Sequence, residues 1–438
     1  MQTRPRTTTA LSLLAALVAS VAANGVRAQA RNPGAEAPDT TRPVKAAPDR
    51  GMIELIQPAF AMRAKSIEKE GVDRELTGKV MTGYQGWFRA DGDGSGRRWQ
   101  HYSRRGRFEP GHCSIDLWPD LREAGQDERF KTEFRHRDGR VAEVFSSYHP
   151  KTVDRHFRWM HDYGLDGAFV QRFAHGLGRR GRDDRVLMNC RAAATKRGRL
   201  WSVMYDLSGL RRGEMSVVKS DWQRLQKVGV LDDQTYLHHG RRPLVAIWGV
   251  GFSDGRKYTL SECRDLVGFF KSDAGGRCAV MLGIPFHWRE RRRDSLGDQV
   301  LHAILAEADV LSPWSVGRFR SPKDVAASVE RHWQADMGWC RKASLAYMPV
   351  VFPGFSWHNQ RAGKAKLDQI PRRGGKFMWQ QFVSAKSAGA EMIYIAMFDE
   401  VDEGTAIFKC TNDPPVGASP FLDYEGLPSE GADPLGRR

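Results

Sequence analysis

Met392-Ile393-Tyr394-Ile395-Ala396-Met397-Phe398-Asp399-Glu400-Val401-Asp402-Glu403-Gly404-Thr405 sets seven apolar or aromatic residues directly before four acids within five positions. An uncharged run of that length reads as a strand buried on both faces, as in a parallel sheet. Seven similar runs precede it: Val80 to Gly83, Gly167 to Val170, Trp201 to Tyr205, Leu244 to Trp248, Ala279 to Gly283, Asp309 to Leu311 and Tyr347 to Phe352. Longer stretches separate them, and several carry apolar residues three and four apart: Val153 to Tyr163, Cys263 to Lys271, Gln299 to Ala308 and Met378 to Ala388. Strands alternating with helices make an α/β chain, and eight such units predict a closed (β/α)8 TIM-like barrel.

In such a barrel the chemistry sits where the strands end. The residues just past the runs are Tyr84, Gln85 and Trp87; Gln171 and Arg172; Asp206; Trp248; His287 and Trp288; Ser312 and Trp314; Phe355 and Trp357; then Asp399, Glu400, Asp402 and Glu403. Aromatic planes beside carboxylates suit sugar rings, whose C–H faces stack while their hydroxyls take hydrogen bonds. Tyr84, Trp87, Arg172, Asp206, Trp248, His287, Trp314 and Asp399 are the expected substrate contacts.

The acids carry the chemistry. On a strand, positions three apart point to opposite faces, whereas on a turn they share one, and Gly404-Thr405 is compatible with a turn. Glu400 and Glu403 would then converge. Glycoside cleavage commonly uses two carboxyls, one to protonate the leaving oxygen, and crowding raises the pKa of at least one of them. Neither metal nor cofactor is expected: no His-Glu-x-x-His or clustered ligand spacing occurs, and two carboxyls suffice.

The segments Thr82-Gly83-Tyr84-Gln85-Gly86-Trp87-Phe88, Leu165-Asp166-Gly167-Ala168-Phe169-Val170-Gln171-Arg172-Phe173 and Asp399 to Thr405 resemble exported bacterial proteins related to glycoside hydrolase families 71 and 99. The resemblance spans residues 78–410. Family 99 contains endo-α-mannosidases on a (β/α)8 barrel with a closing Glu-Trp-His-Glu-Gly-Thr motif, matched here by Glu400, Glu403, Gly404 and Thr405. Val401 and Asp402 stand where that motif has Trp and His. The resemblance implies a retaining enzyme for α-glycosidic bonds, with Glu400 as base toward the sugar's 2-hydroxyl and Glu403 as acid. A different class would keep the cleft without turnover: a non-catalytic carbohydrate-binding protein on the same barrel.

The rest of the chain supplies context. Arg4 and Arg6, the apolar Ala10 to Ala23 and Ala28-Gln29-Ala30 read as a cleaved signal peptide over residues 1–30, so a secreted or periplasmic product is expected. No run is long enough to span a bilayer. Pro33, Pro38, Pro43 and Pro48 mark a linker over 31–51. The catalytic domain is expected over 52–410, and a proline-rich irregular tail over 411–438 leaves the eighth β/α unit open to being incomplete.

Of 438 residues, 68 are Lys or Arg and 52 are Asp or Glu, a formal net charge of +16, and removing residues 1–30 takes only three arginines from it. No nucleic-acid-reading motif accompanies that charge. With Arg172 expected at the mouth, the surplus suggests a polysaccharide or glycan partner bearing acidic groups. The six cysteines contain no Cys-x-x-Cys pair, which leaves one to three disulfides or buried thiols. Asp91 to Gly96 imitates a calcium loop but has Tyr102 at position twelve, and Gly251-Phe252-Ser253-Asp254-Gly255 has nucleophile-elbow spacing without an evident acid and His. Both are set aside.

Overall fold

The computed structural model describes residues 72–177 and 184–424. The expected signal peptide, the linker, the domain start near Met52 and the end of the tail lie outside those residues. Eight parallel barrel strands run through the described chain: β1 (Val80–Tyr84), β2 (Gly167–Phe173), β3 (Leu200–Asp206), β4 (Arg242–Trp248), β5 (Ala279–Pro285), β6 (Val310–Trp314), β7 in two pieces (Ala346–Tyr347 and Val350–Val351) and β8 (Ile393–Ile395). Each of the eight apolar runs marks one of them. Neighbours pair in chain order, and β8 pairs back on β1 with Val80 opposite Ile393 and Thr82 opposite Ile395, so the sheet closes. β7 is split because Pro349 has no N–H for the ladder: its first piece pairs with β6 and its second with β8.

The helices α1 (Pro150–Asp162), α2 (Asp184–Arg197), α3 (Ser216–Lys227), α4 (Leu260–Lys271) and α5 (Val300–Leu305) follow the first five strands. After β6 comes α6, in which Pro322–Ser328 continues through a π turn at Val329–Trp333 into Gln334–Lys342; α7 (Lys376–Ser387) follows β7. Local signals set some of these ends. Pro150 opens α1, where a missing N–H is harmless, and Thr259 and Glu262 cap α4 reciprocally through side chain and backbone. Among the described residues no helix follows β8. Instead the chain returns to an antiparallel hairpin (Phe130–Arg135 with Val141–Val144) inserted between β1 and α1. There Val416 bridges to Arg135, Leu422 bridges to Leu117, and Phe421 lies edge-on to Trp118 at 5.2 Å. No helix of the described residues is long and apolar enough to cross a membrane.

The interior is filled from non-adjacent strands. Tyr394 of β8 stacks on Phe169 of β2 at 5.5 Å, its hydroxyl reaches the Met204 sulfur of β3, and Trp314 of β6 meets it edge-on at 6.3 Å. Since strand side chains alternate, these contacts fix which residues of every strand face inward. All six cysteines are buried free thiols, so the disulfide alternative does not hold. Cys190, Cys263 and Cys340 sit on helices and the other three in connecting segments, and burial pushes Cys113, Cys263, Cys278, Cys340 and Cys410 up to about 12, leaving inert thiols.

At the opposite end of the barrel from the mouth, Asp309 joins four elements. Its carboxylate accepts from Val280 N at 2.8 Å and Arg242 Nη2 at 2.5 Å, and pairs with Lys271 Nζ at 3.0 Å. Burial alone would raise its pKa, but these partners together hold it below the ordinary value. Its contribution is therefore complete above the unfolded pKa of about 4 and is lost as pH falls through the lower folded value. Asp309→Asn is expected to cost about 1–3 kcal/mol at neutral pH. Urea unfolding of both proteins at neutral and acidic pH checks this, the gap closing at low pH.

Candidate active site

The acid segment leaves β8 as a turn. Thr405 N and Ala406 N both donate to Glu400 O, at 3.1 and 3.0 Å, which brings Glu400 and Glu403 to one side. Gly404 makes the turn possible, with φ +64°; a Cβ there would stand 2.8 Å from Ser356 N. That close approach lets Ser356 N donate to Glu403 O at 2.9 Å, and Arg372 Nη2 donates to Gly404 O at 2.7 Å and Ala406 O at 2.6 Å. Gly404→Ala is expected to push the segment after β7 off the acid turn, destabilising the protein by about 1–3 kcal/mol through the lost hydrogen bond and strained backbone. A lowered thermal midpoint checks it.

Each acid is held differently. Asp399 is fully buried and accepts from Gln85 N at 2.8 Å and Gly86 N at 2.9 Å, clamping the turn to the end of β1. Glu400 accepts from Gln85 Nε2 on Oε1 and from Thr405 Oγ1 on Oε2, both at 2.6 Å. Asp402 lies 3.2 Å from His101 Nδ1. Glu403 is half-buried, and within the described residues nothing donates to its carboxyl; Arg361, stacked over Trp357 at 4.4 Å, is the cation that bears on it.

Burial raises all four acids. Asp399 rises to about 7, and Glu400 to about 8 with a further push from Asp402. Asp402 rises to about 8, with Asp116 adding to burial, and Glu403 goes well above the ordinary range through burial and then through Glu400 and Asp402. Crowded buried carboxyls cannot all ionise, so the turn holds protons at neutral pH. A pair with one acid protonated and one ionised can both give and take a proton.

The strand ends facing the turn differ in part from the expected set. Asp206, Trp248 and Trp314 lie on inward positions: Asp206 and Trp248 are register partners, and Trp314 meets Trp248 edge-on at 5.7 Å. Tyr394 links them to the acids, since both the Glu400 and the Asp206 carboxyls bear on its hydroxyl. Gly283 leaves room for Trp248, whose Cδ1 would stand 2.4 Å from a Cβ there.

Two expected contacts point the other way. Tyr84 is buried against α1, its hydroxyl 2.9 Å from His156 Nδ1. Arg172 is locked among the helices, donating to Asp221 from Nε at 2.5 Å and from Nη2 at 2.6 Å, and to Asp184 at 2.8 Å. The inward residues of β2 are Phe169, Gln171 and Phe173, so alternation turns Arg172 outward. With it goes the local ground for expecting an acidic glycan.

Three more are placed but occupied. Trp87 is sandwiched by His101 (3.8 Å, 5°) and Phe173 (5.2 Å, 18°), which leaves its ring no free face for a sugar. His287 sits past β5 with Nδ1 2.7 Å from Asp294 and Nε2 3.4 Å from Arg293. Asp399 has both oxygens committed to the clamp described above.

Sequence reasoning missed His101, Asp116 and Arg256. Asp116 is buried and organises the segment after β7, accepting from Ser356 Oγ at 2.5 Å, His358 N at 2.6 Å and Asn359 N at 2.8 Å. Arg256 lies 4.9 Å over the Trp248 ring and donates to Tyr258 and Ser208. All three come from loops without periodic pattern.

No family model and no curated protein matches the sequence. Solved structures do. The chain is similar to the GH99 endo-alpha-mannosidase from Bacteroides thetaiotaomicron, at 16% identity and a TM-score of 0.59, over 81% of this chain and 94% of that one. The same enzyme in complex with bis-tris-propane gives 17%, 0.55, 81% and 93%. The likeness is one of fold. The barrel is thus of a kind that glycoside hydrolases use, over nearly the whole length of that enzyme, and the chemistry must be argued from the acids.

Proposed function

We propose that the chain is a retaining glycoside hydrolase acting on α-glycosidic bonds in a polysaccharide or glycan. The observation that carries this reading is the placement of Glu400 and Glu403 on one turn past β8, crowded by other buried acids and faced by Trp248, Trp314 and Asp206. In this scheme ionised Glu400 takes the proton of the sugar's 2-hydroxyl, and that oxygen attacks the anomeric carbon. Protonated Glu403 gives its proton to the leaving oxygen as the glycosidic bond breaks. Water then opens the anhydro sugar, returning one proton to Glu403 while Glu400 hands its own back to the 2-hydroxyl. Two inversions retain configuration.

The N-terminal signal pattern supports export, so the substrate is met outside the inner membrane. Purified protein incubated with a broad panel of α-linked glycans tests the reading. Reducing-end release with retained configuration is expected. Binding without release would instead favour the carbohydrate-binding alternative.

A further inference from the structure

Of the three fully buried acids of the turn, Asp402 has the fewest donors. Asp399 has the backbone amides of Gln85 and Gly86, Glu400 an amide and a hydroxyl, and neighbouring Asp116 a hydroxyl and two backbone amides. Apart from its own backbone amide, Asp402 has one partner, His101 Nδ1, against Oδ2 at 3.2 Å; Oδ1 is buried with no hydrogen-bond partner among the described residues. A carboxylate that is 1% exposed, with Glu400, Glu403 and Asp116 as like-charged neighbours, is poorly supported as an anion.

His101 is built to receive a proton's hydrogen bond rather than to take the proton. Its backbone is left-handed at φ 61°, and its ring lies flat on Trp87, so both ring nitrogens have fixed directions. Burial and the Arg89 guanidinium push its pKa down to about 3, which keeps it neutral. Tyr102, the next ring against this corner, is committed to Phe145 O at 2.9 Å. His101 Nε2 has no partner among the described residues and is not among the buried unpartnered atoms, so it opens to solvent.

We propose that Asp402 and His101 form a proton-holding pair: Asp402 is a carboxylic acid that donates to His101 Nδ1, and the imidazole presents Nε2–H toward the cleft. Asp402 is then a positioning residue. It adds no charge between Glu400 and Glu403, so Glu400 alone carries the anion the reaction needs, a consequence that rests on the hydrolase reading above. The ring it orients offers a substrate hydroxyl a donor fixed by the Trp87 stack.

Nitrogen-15 NMR of the full chain labelled at histidine reads the tautomer directly, with His101 assigned by the signals lost in His101→Gln. The expected result is Nε2 protonated and Nδ1 bare across the pH range in which the protein is folded. A proton on Nδ1, alone or together with Nε2, overturns the proposal. Asp402→Asn keeps a donor toward Nδ1 and replaces one neutral group by another. It should therefore preserve the tautomer and leave both limbs of the kcat/KM pH profile in place, whatever happens to kcat. A downward move of the acid limb, the signature of a lost negative charge beside Glu400, also overturns it. If the wild-type protein cleaves no glycan, the hydrolase reading fails while the tautomer measurement still decides the pair.

Discussion

Replacing Glu403 by glutamine is expected to lower kcat/KM about 10²–10⁴-fold on a glycan whose leaving group is an ordinary sugar hydroxyl. Such an oxygen leaves as an alkoxide unless protonated, and Glu403 is the acid whose surroundings most favour the protonated form. It is half-buried, has no donor to its carboxyl within the described residues, and is pushed upward by burial and by Glu400 against Arg361. Glutamine keeps the shape and the hydrogen-bonded backbone, since what Ser356 N contacts is the Glu403 carbonyl oxygen and not its side chain. The loss should therefore shrink sharply on a substrate with an activated leaving group that departs unprotonated. An equal loss on both substrates would remove Glu403 from the acid role, and matched thermal midpoints would show that the comparison is one of chemistry.

How far the sequence reaches can be seen from single residues. Eight short apolar runs, charged only at Asp309 where one begins, were enough for the barrel, because a strand buried on both faces tolerates almost no charge. The acid turn was legible for a related reason: acids directly after such a run must sit at a strand end. Tyr84 and Arg172 failed at the next step. Each ends or nearly ends its strand, but the side chain also has a parity, and Gly83, Phe169 and Tyr394 are the interior neighbours that put Tyr84 and Arg172 on the opposite face. His101 and Asp116 were beyond reach for a different cause. They lie in the long excursion between β1 and α1, where no period fixes direction, and they meet Asp402 and Ser356 only through contacts hundreds of residues apart in sequence. Trp87 shows the limit of composition: an aromatic beside an active site can serve another side chain instead of the substrate.

Glu400→Gln is expected to cost as much as the loss of the acid, about 10²–10⁴-fold in kcat/KM, for a reason that can be separated from folding. Glu400 accepts from the Gln85 amide and from the Thr405 hydroxyl. A glutamine can still accept from the Gln85 amide through its carbonyl oxygen and donate to the Thr405 oxygen, which has lone pairs to spare, so the turn should persist. What disappears is the base. The pair titrates as a unit, so wild-type kcat/KM should form a bell. Its acid limb, where the base takes up a proton, belongs to Glu400 and lies at or below pH 8, the value to which burial and Asp402 together raise it; with Asp402 uncharged the limb sits lower. Its alkaline limb marks loss of the Glu403 proton. In Glu400→Gln the acid limb should vanish from whatever activity remains, while the alkaline limb stays. The base acts on one atom, the 2-hydroxyl, so a 2-deoxy substrate should be cleaved equally poorly by wild type and variant, the two deletions failing to add. Independent, multiplying losses would show instead that Glu400 works on some other atom, and would favour direct attack by the carboxylate on the anomeric carbon.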